Sequence, residues 1–329
     1  MTSTAQAPFA PADIDEVSFQ QTLLSLSRAS VDTHFDAFVD IDWDAHDIDP
    51  DDPRLILPSS DVIGGHPWYL SLDPQMQARV GLYRQANIMK VGLQFEQILI
   101  SGLMNFAFSL PNRDNAFRYS THEATEECHH TQMFQEFVNR SGMPVAGGSI
   151  FFRGVGMLLP HFARVVPFGF FVGVLAGEEP IDHLQKMLLR SDKEMHPLVE
   201  RVMQIHVAEE ARHIGFAHEY LRDTYPRLNR FERGYLSLLT PVIMRWLCDE
   251  IMKPSKKARQ DMGIPEHVFD EMFWGSAGSQ KFLRDLFADV RALCEEVGLM
   301  NRPARRVWRA LGIDGRASRF RSEPSSAVA

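Results

Sequence analysis

Residues 206–213 read His-Val-Ala-Glu-Glu-Ala-Arg-His, and this stretch decides how the chain is interpreted. On an α-helix each residue advances by about 100°, so His206, Glu210 and His213 lie along one narrow strip of the helix surface. The rest of that strip is apolar, and burying two imidazoles and a carboxylate without partners is unfavourable. A metal ion would satisfy all three side chains. The stretch therefore predicts a metal site inside a helical protein.

A second stretch, residues 122–130 (HEATEECHH), contains two strips of the same kind. The strips are His122, Glu126 and His129, and Glu123, Glu127 and His130. The positions three, four and seven residues after His130 are all apolar, whereas two of the corresponding positions after His129 are polar. The apolar side of the helix therefore contains Glu127 and His130, with Glu123 one turn earlier as an outer or substrate-side group. The other strip is expected to form a solvated face.

Two further apolar stretches each carry acidic residues. Glu96 is the only acidic residue in 91–113, and apolar residues surround it at helical spacing, so it is expected to point into the bundle. A core glutamate paired with a buried Arg or Lys is the alternative. Glu178 and Glu179 end another apolar run. Pro180 disturbs the helical phase there, so periodicity leaves both glutamates open.

Together the four stretches predict a dimetal site bridged by carboxylates. In such bundles two helices each contribute a glutamate, and two others each contribute a Glu-x-x-His pair. A satisfied polar core without metal is the alternative. Mixed carboxylate and imidazole ligands favour iron or manganese over zinc. The HExxH pattern of zinc peptidases is absent, because Glu126 stands where the second His is required.

Composition narrows the class of protein. The 329 residues are 45% hydrophobic and 23% charged, as in ordinary globular proteins. A formal net charge of −9 argues against nucleic-acid binding, which needs a basic surface. Three widely spaced cysteines predict reduced, buried thiols. The N-terminus does not resemble a signal peptide, and the longest apolar run, 165–177, is too short to span a bilayer, so a cytoplasmic protein without membrane contact is expected.

Periodicity and turn signals predict an all-α chain. Four long helices and then two flanking helices are expected over 78–109, 116–140, 168–190, 197–224, 229–257 and 278–298. Residues 35–75 are rich in Asp and Pro, which indicates an extended N-terminal wrap anchored by Trp43 and Trp68. The outer faces of residues 229–298 are compatible with a homodimer.

The predicted domain organisation is simple. Residues 1–15 are rich in Ala and Pro and are expected to be disordered. Residues 16–300 are expected to form a single domain that holds the metal site. Residues 301–329 begin with a basic run and end rich in Ser, so a flexible tail is expected.

The quoted segments resemble those of ferritin-like di-iron carboxylate proteins, and more closely those of the p-aminobenzoate N-oxygenase (AurF-like) family. EECHHTQMFQEFVNR at 126–140 and HVAEEARH at 206–213 are similar to that family's two signature segments, and the likeness extends over about residues 30–298. The resemblance implies a ferritin-like four-helix bundle with flanking helices. It also implies seven metal ligands, with His206 as the additional histidine and Glu179 preferred to Glu178 by its distance to the later motif: Glu96, Glu127, His130, Glu179, His206, Glu210 and His213.

The resemblance further implies a non-haem di-iron monooxygenase that uses O2 as co-substrate and oxidises a small aromatic amine by N-oxygenation. Two iron ions would be the cofactor, with manganese as an alternative. An external electron donor, a ferredoxin or a flavin reductase, is expected because the chain has no nicotinamide or flavin motif. The alternatives are a di-iron hydroxylase or desaturase on an aliphatic substrate, a non-catalytic ferritin-like metal-binding protein, and a metal-dependent hydrolase. The phenylalanines over 151–171 are interpreted as core aromatics, with an apolar substrate pocket as the alternative.

Overall fold

The computed structural model describes residues 14–321 and residue 323, and no strand occurs among them. The prediction of an all-α fold is confirmed. None of the described helices combines the length and the apolar character that a membrane span requires. The helices are α1 (Ile14–Asp32), α2 (Pro67–Leu70), α3 (Pro74–Ala107), α4 (Asn115–Ser141), α5 (Ile150–Val155), α6 (Phe162–Val165), α7 (Pro167–Leu189), α8 (Pro197–Thr224), α9 (Arg230–Met252), α10 (Lys256–Asp261), α11 (Glu266–Asp270), α12 (Ala277–Asp285), α13 (Ala288–Val297) and α14 (Arg302–Ala310).

The ends of the four long helices follow from local sequence. The carboxylates of Asp73 and Asp114 accept hydrogen bonds from backbone N–H groups at the starts of α3 and α4. Helices α7 and α8 begin with Pro167 and Pro197, whose fixed φ suits the first turn. Gly142 ends α4 in the left-handed region, at φ +64°, where glycine has no steric penalty.

Helices α3, α4, α7 and α8 form the central bundle. α3 packs against α4 and α7 packs against α8, while α9 covers α7, and α1 lies on α4 and α8. The rings of Phe106, Phe171 and Phe216 make edge-to-face contacts, each with centroids 5.1 Å apart, and join α3, α7 and α8 near one end of the bundle. Such packing fixes the rotation of each helix and therefore decides which side chains point inward.

The N-terminal segment between α1 and α2 wraps the bundle with little helix, as predicted. Trp43 is buried there, and its indole N–H donates to the carbonyl oxygen of Ala37 at 2.7 Å. The guanidinium of Arg140 on α4 lies 5.7 Å from the Trp43 ring centroid. Trp68 is half-buried against a second apolar cluster that joins the wrap to α10 and α11. Both tryptophans therefore contact the body of the protein.

The C-terminal segment differs from the expected loose tail, because α14 packs on the domain. Ala304 and Trp308 are buried, and the Trp308 ring lies 6.3 Å from that of Phe287. Only these two positions of α14, one helical turn apart, face inward. Because most of the neighbouring residues are arginines, the sequence shows too few apolar positions to predict an amphipathic helix. The disorder expected for residues 1–15 falls mainly outside the residues that the structure describes. Residues 14 and 15 are described, and they are helical, as the beginning of α1.

Candidate metal centre

Eight acidic and imidazole side chains meet in the middle of the central bundle. Each is at most 5% exposed. Helix α3 contributes one, α4 three, α7 one and α8 three: Glu96, Glu123, Glu127, His130, Glu178, His206, Glu210 and His213. Side chains of this kind are rarely buried so densely unless they bind an ion or one another.

Six of them, which we call the inner cluster, form two overlapping groups with the spacing of metal ligands. One group is Glu96, His130, His206 and Glu210, and the other is Glu127, His130, Glu210 and His213. Within each group the potential ligand atoms all lie within 4.8 Å of one another. His130 and Glu210 belong to both groups. The shared residues place two cation sites side by side.

The two glutamates of the Glu-x-x-His pairs lie between the imidazoles. One oxygen of Glu127 is 2.9 Å from Nδ1 of His130, and the other is 2.7 Å from Nδ1 of His213. Oε1 of Glu210 is 3.5 Å from Nδ1 of His130, 3.4 Å from Nε2 of His206 and 3.5 Å from Nδ1 of His213. Glu127 therefore faces both sites, as a bridging carboxylate must.

Several of these buried atoms lack a hydrogen-bond partner. Oε1 of Glu127 and Nδ1 of His213 are close together, yet neither makes a hydrogen bond. Both oxygens of Glu210, Glu178 and Glu123 are also unpaired. Because more than nine in ten buried polar groups normally have a partner, these atoms fit a bound cation better than a satisfied polar core. The donor set suits two ions such as iron or manganese.

The charges lead to the same conclusion. Burial, reinforced by neighbouring carboxylates, raises the pKa of Glu96, Glu123 and Glu178 well above the usual range. Burial also opposes ionisation of Glu127, but His130 and His213 outweigh it and hold the pKa of its carboxyl well below the usual range. The eight buried side chains comprise five carboxyl groups and only three imidazoles that could neutralise them. Two divalent cations would supply the missing positive charge.

In each histidine, the ring nitrogen that faces away from the inner cluster is hydrogen-bonded to a side chain outside that cluster. Nε2 of His130 is 2.8 Å from Glu209, and Nε2 of His213 is 2.7 Å from Glu126. We call Glu126 and Glu209 the outer carboxylates. An N–H on Nε2 that donates to them leaves Nδ1 facing the inner cluster.

The third histidine has the opposite orientation. Nδ1 of His206 donates to the side-chain oxygen of Gln185 at 2.9 Å, which leaves Nε2 facing Glu96 and Glu210. Burial is the main cause that lowers the pKa of His206 to about 4, so its ring is neutral near pH 7. A neutral imidazole with a free nitrogen is the form that binds a metal ion.

Glu179, the residue predicted from the third helix, lies outside the inner cluster. One of its oxygens accepts a hydrogen bond from Nε2 of His218 at 2.7 Å. Its neighbour Glu178 lies on the same face of α7 as Phe170 and Gln185 and shares a cavity wall with Glu96 and His206. The helix runs through Pro180 without interruption, so the phase of the apolar face extends to Glu178. The structure thus directs Glu178, and not Glu179, towards Glu96 and His206, and Glu179 as the metal ligand stays a prediction.

Glu126, expected on a solvated face, is instead 3% exposed and bonded to His213 and to the guanidinium of Arg212 at 2.8 Å. Its companions in that strip, His122 and His129, are half-buried. A signal for Glu126 was present: Glu-Glu-x-x-His occurs at 126–130 and again at 209–213. Periodicity along one helix could not show that the first glutamate of each pair binds the opposite helix.

A cavity of about 440 Å³ leads from the inner cluster towards the surface. Glu96, Glu178 and His206 form its inner end, and side chains of α3, α7 and α9 form its walls. Phe152, Phe162 and Phe170 line it, so three phenylalanines of the 151–171 region border this space. The cavity gives an apolar molecule access to the inner cluster.

Comparison with known proteins agrees with this geometry. A family model described as P-aminobenzoate N-oxygenase AurF matches residues 17–298. The chain is 51% identical over 312 residues to an uncharacterized protein of Mycobacterium tuberculosis, Rv0885, and to an uncharacterized protein of Mycobacterium bovis, Mb0909. Each match covers 94% of this chain and 92% of the relative. The similarity therefore spans the whole bundle together with its flanking helices.

Proposed function

This chain belongs to the p-aminobenzoate N-oxygenase (AurF) family, and from that premise we propose that it is a non-haem di-iron oxygenase that oxidises a small amine at nitrogen. One observation carries the proposal: the two four-residue groups overlap, and one of the residues that they share, Glu210, is a carboxylate that could bind two adjacent ions. A storage or sensing protein would need the ions but not the apolar cavity that ends at them. The proposal therefore favours an enzyme over a non-catalytic metal-binding protein.

We assign one metal ion to Glu96, His130 and His206, and the other to His213 and Glu178. Glu127 and Glu210 would serve both ions. Glu178 replaces Glu179 in this assignment because its unpaired oxygens are at the inner end of the cavity. Glu123, whose oxygens are unpaired and whose carboxyl group interacts electrostatically with His213, would supply a further carboxylate to the second ion. Two ferrous ions bound there would supply the two electrons that activation of O2 requires.

The side chains of the chain itself perform three tasks. The outer carboxylates orient His130 and His213 and fix the ring nitrogen that faces the ions. Gln185 does the same for His206. The apolar walls of the cavity hold the substrate against the inner cluster and exclude water from it. Electrons for further turnovers come from an external ferredoxin or flavin reductase.

Metal analysis and oxygen uptake test the proposal. We expect two iron ions per chain, and O2 consumption by the chemically reduced protein in the presence of 4-methylaniline, with hydroxylamine or nitro products detected by mass spectrometry. The Glu210→Gln variant is the control, because loss of the Glu210 carboxylate should abolish both metal loading and product formation. An iron-loaded wild-type protein that consumes no O2 after reduction would overturn the oxygenase proposal.

A second candidate function is hydroxylation or desaturation of an aliphatic substrate, and the apolar lining of the cavity favours it. The same experiment separates the two functions by product. Oxidation at carbon of an alkyl-substituted arylamine, with the nitrogen unchanged, would support the second function over the first. A metal-dependent hydrolase would release product without consuming O2.

A further inference from the structure

The cavity wall is unusual in its lack of charge away from the inner cluster. Among the described residues that line it, none is Lys or Arg. Its acidic and imidazole members, Glu96, Glu178 and His206, all belong to the metal centre, and Gln185 is already bonded to His206. The other described side chains of the wall that carry a polar atom are Tyr235, which is 45% exposed, and Trp246, and neither has a positive charge. No described side chain of the wall could neutralise an anionic group on a ligand.

Glycines create much of this space. Gly169, Gly173 and Gly177 follow one another at intervals of four along α7 and all line the cavity. A glycine inside a helix destabilises that helix relative to alanine. A Cβ at Gly173 would meet only one atom within 4 Å, Cδ1 of Leu247 at 3.9 Å, so packing does not demand glycine there. The cavity-facing row keeps open a volume that larger side chains would fill.

The volume exceeds the need of a single ring. A cavity of about 150 Å³ is enough to hold benzene, and this one measures about 440 Å³. It falls in the range of pockets that bury drug-sized ligands. A one-ring amine would leave most of the space unfilled.

The outer end of the cavity is also apolar. Phe162 and Leu239 line it and are 54% and 41% exposed, beside Tyr235. Phe151 is also exposed, and its ring lies 6.1 Å from that of Trp246, another residue of the cavity lining. A molecule that enters here therefore meets hydrocarbon before it reaches the metal centre.

We propose that the substrate is an uncharged molecule with an extended apolar body, whose reacting atom lies at the inner cluster while its body fills the glycine-lined cavity. This inference rests on the proposed oxygenase function and specifies its substrate class. Away from the inner cluster, a carboxylate in the cavity would lose its hydration with no cationic side chain to replace the water, which is strongly unfavourable. Aminobenzoates are therefore excluded as substrates, although the family is described by one of them.

Calorimetric titration of the iron-loaded, oxidised protein tests the inference with a matched pair of ligands. Methyl 4-aminobenzoate and 4-aminobenzoate have the same ring and amine and differ in charge. We expect the ester to bind at least about 10-fold more tightly than the acid. Across 4-alkylanilines from methyl to hexyl we expect about a fourfold gain in affinity for each added methylene, as burial of a CH2 group predicts.

Filling the cavity provides the second arm. Gly173→Leu should reduce the affinity for 4-hexylaniline by at least about 10-fold and leave iron content unchanged. Gly234→Leu, on the exposed face of α9 with no atom within 4 Å of the added Cβ, is the matched control and should bind like the wild type. If Gly173→Leu does not fold, the ester and acid comparison on the wild-type protein still decides the question.

The failures of the two proposals are distinguishable. Tighter binding of the acid than of the ester, or affinities that do not rise with alkyl length, would overturn the substrate class even if the protein holds iron and consumes O2. Absence of iron or of O2 consumption would overturn the oxygenase function instead, whatever the ligand affinities are.

Discussion

Helices α3 and α4 form one half of the metal centre and α7 and α8 form the other, and the two halves carry nearly the same arrangement of residues. In each half the first helix contributes one glutamate, Glu96 or Glu178, and the second contributes Glu-Glu-x-x-His. The first glutamate of each pair bonds to the histidine of the opposite half, and the second lies in the inner cluster. The halves are therefore joined by reciprocal hydrogen bonds, and the proposed ions would join them further.

The halves differ one helical turn before that motif. Helix α4 has Glu123 at this position, and α8 has His206. Both side chains are buried, but Glu123 has no hydrogen-bond partner, whereas His206 bonds to Gln185. One half thus offers an additional anionic oxygen and the other an additional neutral nitrogen. This difference implies two chemically distinct metal ions in an otherwise repeated frame.

The largest effect is expected for Glu127 and Glu210, the two glutamates that we assign to both ions. Glu127→Gln and Glu210→Gln should each lower the affinity for iron by more than about 100-fold, since loss of an outer partner alone costs about 10–100-fold. Both ions should be lost together, as measured by metal analysis after dialysis against a weak chelator. Glu219→Gln, a partly exposed glutamate of α8 that pairs with Arg222, is the control. Loss of one ion alone would show that the halves bind independently.

The adjacent residues Glu178 and Glu179 test whether α7 matches α3. Glu178→Gln should remove the ion of the second site and reduce O2 uptake by at least about 10-fold, because it removes a ligand. Glu179→Gln should leave iron content unchanged, since its partner is His218 and an amide oxygen can still accept that hydrogen bond. The reverse result would restore Glu179 as the ligand and end the correspondence with Glu96.

The outer carboxylates test the reciprocal connection. Glu126→Gln and Glu209→Gln should each weaken metal binding by about 10–100-fold. The first should act on the site of His213 and the second on the site of His130. Stepwise metal titration with a competing chelator resolves the two sites. If each change affected the site of its own helix, the crossed pairing would be wrong.

The smallest effect is expected where the halves differ. His206→Ala and Glu123→Ala each remove a side chain that only one half has, so the ligands that the two halves have in common remain. We therefore expect both ions to stay bound at saturating iron and the optical spectrum of the oxidised protein to change. We expect O2 uptake to fall by about 10-fold or less in either variant. Unchanged metal load and unchanged oxygen chemistry in His206→Ala would mean that the additional imidazole does not influence the reaction.

Helix periodicity was enough to predict the all-α fold, the positions of the four long helices and six residues that lie together in the inner cluster. These properties are local, because a buried strip must repeat every three or four residues along one helix. His130 was correctly separated from His129 in this way, since the apolar residues that follow it fix the buried side of α4.

Tertiary structure decided what depends on two helices at once. Glu178 and Glu179 are equivalent within α7, and only the packing of α7 against its neighbours directs the first to the inner cluster and the second to His218. The burial of Glu126 required the opposite histidine, which is 87 residues away in the chain. The cavity likewise forms only where several helices pack around glycines, which have no side chain to fill it. The rotation of each helix follows from its own sequence, but the partner of each buried charge follows from how the helices are placed together.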